Sequence, residues 1–272
     1  MYTLKDGCLP NNLRFFGGLD RAAALRRISR LSPGSIDLVR QRRGSDFHLN
    51  RLPLMTTDSD PAEKAIDSES SATTLAPLPD RVGFGGMFAA VLGGRLIAGG
   101  GSQFADKPIW LNGQKSYTDR LFALEQLKGL WRVLDCRLPR PMAHFAAATD
   151  KAVAYLAGGI SDKSALLAEV YAVKAEGETI VCLPLTVLPK PLAYGAGVVF
   201  AGRFYVAGGQ HDLSKREATK EVWSLDLAQP VSPWQREPDL PGSGLFVGAM
   251  AACSSALFFI GGVGYDADGK AV

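Results

Sequence analysis

The sequence predicts an all-β fold built from a repeated unit of about fifty residues, and three observations predict it. Leu-Pro pairs recur at 78–79, 138–139, 188–189 and 240–241, at intervals of 60, 50 and 52 residues. Glycine pairs recur at 99–100, 158–159, 208–209 and 261–262, each 20 or 21 residues after its Leu-Pro. Thirty glycines in 272 residues exceed the usual share of about 7% and supply the turns that many short strands need. Self-similarity at a fixed period of this length marks a repeat architecture.

In chain order, the first segment is basic. Residues 1–54 carry ten basic and four acidic side chains, residues 55–80 carry one lysine against six carboxylates, and the remainder is near balance at +2. Lys5, Asp6 and Arg14 interrupt the only early apolar cluster, Leu13, Phe15 and Phe16, so no secretory signal is visible. Leu19–Leu31 fits one short amphipathic helix. Residues 1–54 are therefore expected to be a disordered or non-native basic extension. Residues 55–77, acidic and rich in Ser and Thr, are expected to be flexible. Met55 is then a second candidate start beside Met1.

The repeats occupy residues 78–272, with units starting near 78, 138, 188 and 240. Each unit opens on a run of small and aromatic residues: GFGGMFAAVL, AHFAAAT, AYGAGVVF and LFVGAMAAC. A tight turn follows, and then a short strand runs into the glycine pair: LIAGG, AYLAGG, FYVAGG or FFIGG. After a variable loop comes an alternating strand, DRLFALE, AEVYAVK or EVWSLDL. Trp131 and Trp234 close the first and third units, whereas Ile180–Cys182 stand at the corresponding place in the second. The fourth unit ends at Gly262–Val272, before its last two strands.

Composition and motifs exclude several classes. The near-neutral repeat region lacks the clustered Lys and Arg of a nucleic-acid surface. No apolar run approaches the roughly 20 residues of a membrane helix. Cys8, Cys136, Cys182 and Cys253 are widely spaced, which offers neither a zinc site nor a disulfide framework; Cys182 and Cys253 read as small core residues. His48, His144 and His211 do not pair at ligand spacing, and nucleophile-elbow, Walker and dinucleotide motifs are missing. Neither a metal nor a cofactor is expected. With no signal in view, the expected location is the cytoplasm.

The four marks in register resemble the kelch repeat, whose unit is a four-stranded propeller blade. Within that class, PDRVGFGGMFAAVLGGRLIAGGGSQF at 79–104, the inserted loop at 105–122 and LPRPMAHFAAA at 138–148 are similar to the cyclically permuted mutarotase family, related to N-acetylneuraminate epimerase. The resemblance implies an incomplete kelch β-propeller, about three and a half blades of a six- or seven-bladed protein. It also implies a sialic acid-like sugar acid as substrate, interconverted between anomers by opening and closing the ring. The family's Glu and Arg on a GE-x-x-x-G-x-R motif have no counterpart in this sequence, so no catalytic residue is assigned. A frameshifted product and completion by a partner chain are the alternatives to a fragment of a longer protein, and an unfinished fourth blade would offer an edge for strand pairing.

Ligand-binding candidates follow from position. Arg81 and Arg140 precede the first strands of units one and two, where each could clamp a carboxylate or form a salt bridge. His144 lies in an apolar strand and reads as either a core or a catalytic histidine. Tyr194, Gln103 and Phe104 adjoin the same strand ends. Trp110, Asn112, Lys115 and Tyr117 lie on an insertion about ten residues longer than the matching loops, and long loops on rigid scaffolds carry function. The loop His211–Glu217 reads as solvated. The competing class is a non-enzymatic kelch module that binds protein partners through its loops.

Overall fold

The computed structural model describes residues 2–5, 14–15, 74–253 and 256–272. The chain divides into two compact units, residues 1–18 with 76–272 and residues 19–75, and every described strand belongs to the first. The structure is all-β, with four antiparallel four-stranded sheets and two short 3₁₀ turns among the described residues.

Each sheet reproduces one run of the repeat. The first contains β3 (Phe88–Leu92), β4 (Arg95–Gly99), β7 (Arg120–Leu124) and β8 (Arg132–Arg137). A small ribbon of β5 (Ser102–Gln103) and β6 (Ser116–Tyr117) projects from it. The second contains β9 (Ala146–Asp150), β10 (Val153–Ala157), β11 (Val170–Glu176) and β12 (Thr179–Leu185). The third contains β13 (Ala196–Phe200), β14 (Arg203–Ala207), β15 (Val222–Asp226) and β16 (Gln235–Glu237). The fourth is led by β17 (Ala249–Cys253) and β18 (Ala256–Ile260). The strands pair as hairpins because each first strand is small and alternating, and the Gly-rich or Lys-containing turn after it supplies the positive φ that a tight hairpin needs.

Apolar alternation places one face of each sheet against the next. Phe88, Ala90 and Leu92 of β3 pack with Phe145, Leu156 and Tyr171 of the following unit. Ala146 and Val170 meet Phe204, Leu225 and Trp234 one joint further on, and Ala196 and Val222 meet Phe259 at the third. The first strands are small because they come close together: a Cβ added to Gly197 of β13 would lie 2.9 Å from Ala147 O of β9. The tryptophans tie each repeat's end to its beginning. Trp131 Nε1 donates to Ala76 O at 2.9 Å, and Trp234 Nε1 to Thr186 O at 2.8 Å, each acceptor lying two residues before a Leu-Pro. In the second unit, buried Ile180 stands in place of an indole.

Three sequence expectations meet a different structure. In the first unit the repeating glycine pair is Gly100–Gly101 rather than Gly99–Gly100. Gly99 is the last residue of β4, while Gly100 (φ 64°) and Gly101 (φ 112°) match Gly158 (68°) and Gly159 (111°). Cys253 is exposed rather than part of a core.

The third difference lies at the N-terminus, expected to be an extension throughout residues 1–54. β1 (Tyr2–Lys5) pairs antiparallel with β18, and β2 (Arg14–Phe15) pairs with β1, so the fourth sheet runs β17-β18-β1-β2. The edge of β18 expected to be open for pairing is occupied by β1. A ladder of backbone hydrogen bonds asks for extended chain, not for any particular side chain, and so leaves little trace in composition. The helix expected over Leu19–Leu31 and the flexible start at Met55 lie outside the described residues.

Candidate functional site

One residue of positive φ stands two positions before each first strand: Gly86 (72°), His144 (59°), Tyr194 (57°) and Val247 (56°). Such backbone is uncommon for a non-glycine residue and an outlier for a β-branched one. It is held by a chain of hydrogen bonds from unit to unit. His144 N donates to Gly86 O at 3.0 Å, Tyr194 N to His144 O at 2.9 Å, and Val247 N to Tyr194 O at 2.9 Å. Inward of this rim, a cavity of about 340 Å³ is lined by Phe88, Ala89, Ala147, Thr149, Val198 and Met250, drawn from the first strands of all four sheets.

The rim gathers five of the seven sequence-predicted binding residues. The His144 ring lies 4.8 Å from that of Tyr194, tilted by 42°, and its Nε2 lies 3.1 Å from Lys115 Nζ and 3.3 Å from Ser102 Oγ. Lys115 also stands 5.8 Å over the Tyr117 ring. The β5–β6 ribbon sets these positions by pairing Ser102 with Tyr117 and Gln103 with Ser116. Gly86 makes room, since a Cβ there would collide with the His144 ring. Gln103 Oε1 is buried and finds no hydrogen-bond partner among the described residues, which is where a ligand hydroxyl or amide would be accepted.

Electrostatics follow from this packing. Burial, reinforced by the Lys115 ammonium, pulls the His144 imidazole down to about 4. At neutral pH the ring is uncharged, and Nε2 accepts from Lys115. Burial lowers Lys115 from its usual value and raises the Tyr117 and Tyr194 phenols, with Tyr194 and Asp162 adding to the rise at Tyr117. Because the folded value of His144 lies below the unfolded one near 6.5, the unfolded chain binds more protons between about pH 6.5 and 4. Stability is therefore expected to fall as pH drops through that window. A His144→Gln variant should lose that part of the slope; thermal melts from pH 7 to 4 check it, and parallel profiles would refute it.

The two arginines lie elsewhere. Arg140 forms an ion pair with Glu169 at 3.2 Å, and the matching positions of the third unit, Lys190 and Glu221, pair at 2.6 Å. In the first unit the charges are exchanged, Asp80 with Arg120 at 3.7 Å. Arg140 thus belongs to a repeated clasp between the start and third strand of a unit. Arg81 is exposed, one residue past that clasp. On the insertion, Pro108 O accepts from Leu111 and Gly113, and Asp106 Oδ1 from the Gln114 amide. Ile109, Trp110 and Leu111 form an exposed tip, Trp110 at 79%. In the loop expected to be solvated, His211 Nδ1 donates to Pro191 O at 2.7 Å.

Sequence reasoning missed Ser102, Gly86, Phe246 and Tyr265. Phe246 continues the aromatic run, 6.3 Å from Tyr194 and 5.4 Å from the stacked Tyr265. A one-residue shift in the first glycine pair would have marked Ser102 as the position that Ile160, Gln210 and Val263 hold in the other units. Among the described residues no group of three His, Cys, Asp or Glu is placed to hold a metal, and no helix is long and apolar enough to cross a membrane.

No family model and no curated protein matches the sequence. Among solved structures, that of YjhT matches with a TM-score of 0.61 at 16% identity, over 73% of this chain and 65% of that one. At this identity the likeness is one of fold. The chain spans just under two thirds of that protein's length.

Proposed function

We propose that this chain is the greater part of a kelch β-propeller of the permuted mutarotase type and that its rim binds a sugar acid. The observation that carries the reading is the Lys115–His144 contact at 3.1 Å, between a cation suited to a carboxylate and a neutral imidazole suited to a hydroxyl proton. The match in fold to YjhT agrees with it. Lys115 would hold the carboxylate, Gln103 and Tyr117 would take ring hydroxyls, and the Tyr194 face would lie against the sugar's apolar side. His144 Nε2 is the rim's candidate base for the anomeric hydroxyl. Removing that proton while the ring oxygen gains one opens the ring, and the reverse transfer on the other face gives the second anomer. The family's Glu and Arg motif is not in this sequence, so binding and anomer exchange are tested separately.

N-acetylneuraminate is the probe. Saturation-transfer NMR with the chain is expected to show binding, and Lys115→Met to weaken it at least tenfold, the scale on which a lost charge-assisted contact acts. The same sample followed for anomer exchange tests the chemistry. Failure to bind N-acetylneuraminate and related sugar acids would overturn the assignment. A second reading, a protein-binding kelch module, is favoured by the exposed tip Ile109–Leu111; it predicts a partner lost on Trp110→Ser with no sugar bound.

A further inference from the structure

Lys115 stands apart from the ion-paired lysines in what it faces. Lys174, Lys190, Lys215 and Lys220 each lie beside a carboxylate. Lys115 Nζ instead meets Nε2 of the uncharged His144 ring at 3.1 Å and stands 5.8 Å over the Tyr117 ring. Among the described residues no carboxylate pairs with it, and burial lowers the ammonium from its ordinary value. An ammonium held this way has neither a counter-ion nor full hydration, the environment that turns a lysine into an amine nucleophile.

The geometry also aims the nitrogen. Lys115 precedes β6, whose pairing sets Ser116 and Tyr117 opposite Gln103 and Ser102 of β5. Lysine has only protons to give, so Nε2 accepts from it. When the ammonium has lost a proton to water, one N–H of the amine still donates to Nε2, and the lone pair is turned away from the imidazole. Lys115 remains exposed on its other side, where a ligand can reach it. The polar groups around it are neutral. They are the Ser102 hydroxyl, the buried and unpartnered Gln103 Oε1, and the phenols of Tyr117 and Tyr194, which burial keeps protonated. Such partners match a carbon chain bearing hydroxyls.

We propose that Lys115 captures the carbonyl of an open-chain sugar as an imine. The amine nitrogen attacks the carbonyl carbon, and the carbonyl oxygen takes a proton from that nitrogen to become a hydroxyl. The hydroxyl then leaves as water with the proton that the ammonium first gave up. In sum, ammonium and carbonyl become a protonated imine and water, with no change of oxidation state, and the imine N–H keeps the hydrogen bond to His144 Nε2. The cation that would hold a carboxylate and the amine that attacks are one nitrogen in two protonation states. This step goes beyond the proposed binding of a sugar acid and rests on that reading only for the identity of the sugar, whose ring opening exposes the carbonyl.

The test incubates the full chain at pH 7 with glycolaldehyde, a small hydroxy-aldehyde, and cyanoborohydride, which reduces an imine to a stable secondary amine. Peptide mass spectrometry then follows the label at each lysine. Lys115 is expected to be labelled roughly fivefold or more faster than Lys107 and Lys128, both exposed, in the same sample. Lys115→Arg should remove the label from that peptide alone. Labelling of Lys115 no faster than that of Lys107 and Lys128 in the wild-type chain would overturn the proposal, and that comparison depends on no variant folding. Saturating N-acetylneuraminate should slow labelling at Lys115 and leave Lys128 unchanged. Fast labelling that the sugar acid does not slow would support the lysine chemistry and count against the sugar-acid assignment alone.

Discussion

Gly158→Ala is expected to lower the stability of the molecule by about 3 kcal/mol or more, while Gly261→Ala, its counterpart in the fourth sheet, should cost only about 1. Both glycines have positive φ, 68° and 66°, so a side chain at either carries the same strain from left-handed backbone, about 1 kcal/mol. They differ in what a Cβ meets. At Gly158 it would run into Leu192 O with Leu167 O close behind; at Gly261 it meets nothing. Neither carbonyl can swing aside at low cost, because Leu192 O accepts from Gly159 N and Leu167 O accepts from Leu192 N. Denaturant titration of both variants beside the wild type checks this. A shift in midpoint at unchanged slope measures the cost. Equal midpoints for the two would show that the joint does not close as tightly as its geometry requires.

A chain begun at Met55 is expected to lose the outer half of its fourth sheet. Tyr2–Lys5 pair with Phe259, Phe258, Leu257 and Ala256 in register, and Arg14 and Phe15 extend the sheet by one more strand. At about 1 kcal/mol net per hydrogen bond, removing this ladder should cost roughly 2–4 kcal/mol. It also leaves the N–H and C=O groups of β18 bare, an invitation to strand pairing between molecules. Hydrogen exchange should show protection at Leu257–Phe259 falling toward that of loops, with the second and third sheets unchanged, and the truncated chain should aggregate at concentrations where the full chain does not. Unchanged protection at those amides would mean that the N-terminal strands contribute nothing to the fourth sheet.

How legible the molecule was from its sequence depends on the range of the interactions. Local grammar was readable: the alternation in β3, the turn residues between first and second strands, and the small residues where first strands converge all follow from one segment's own chemistry. The rim was half legible. Lys115 stood out on a long insertion and His144 at a strand start, but nothing in the sequence states that Nζ and Nε2 lie 3.1 Å apart, because residues 115 and 144 sit in different units. Arg140 was visible as a cation with two readings, and Glu169, a full half-unit away, decided for the clasp. The positive φ of His144, Tyr194 and Val247 left no mark, since such backbone is normally announced by glycine, and at Gly86 alone is it announced.

The sequence by itself therefore determined an all-β repeat of about fifty residues, its strand pattern, and the pool of side chains available at the rim. These are set by periodicity and by the conformations that glycine and proline allow, which act within a few residues. Only the tertiary structure decided which glycines form the first pair, that Tyr2–Lys5 and Arg14–Phe15 complete the fourth sheet, and that Ser102, Lys115, His144 and Tyr194 converge. Those outcomes rest on backbone hydrogen bonds and packing between segments up to some 250 residues apart, and such pairing selects for geometry rather than for residue type.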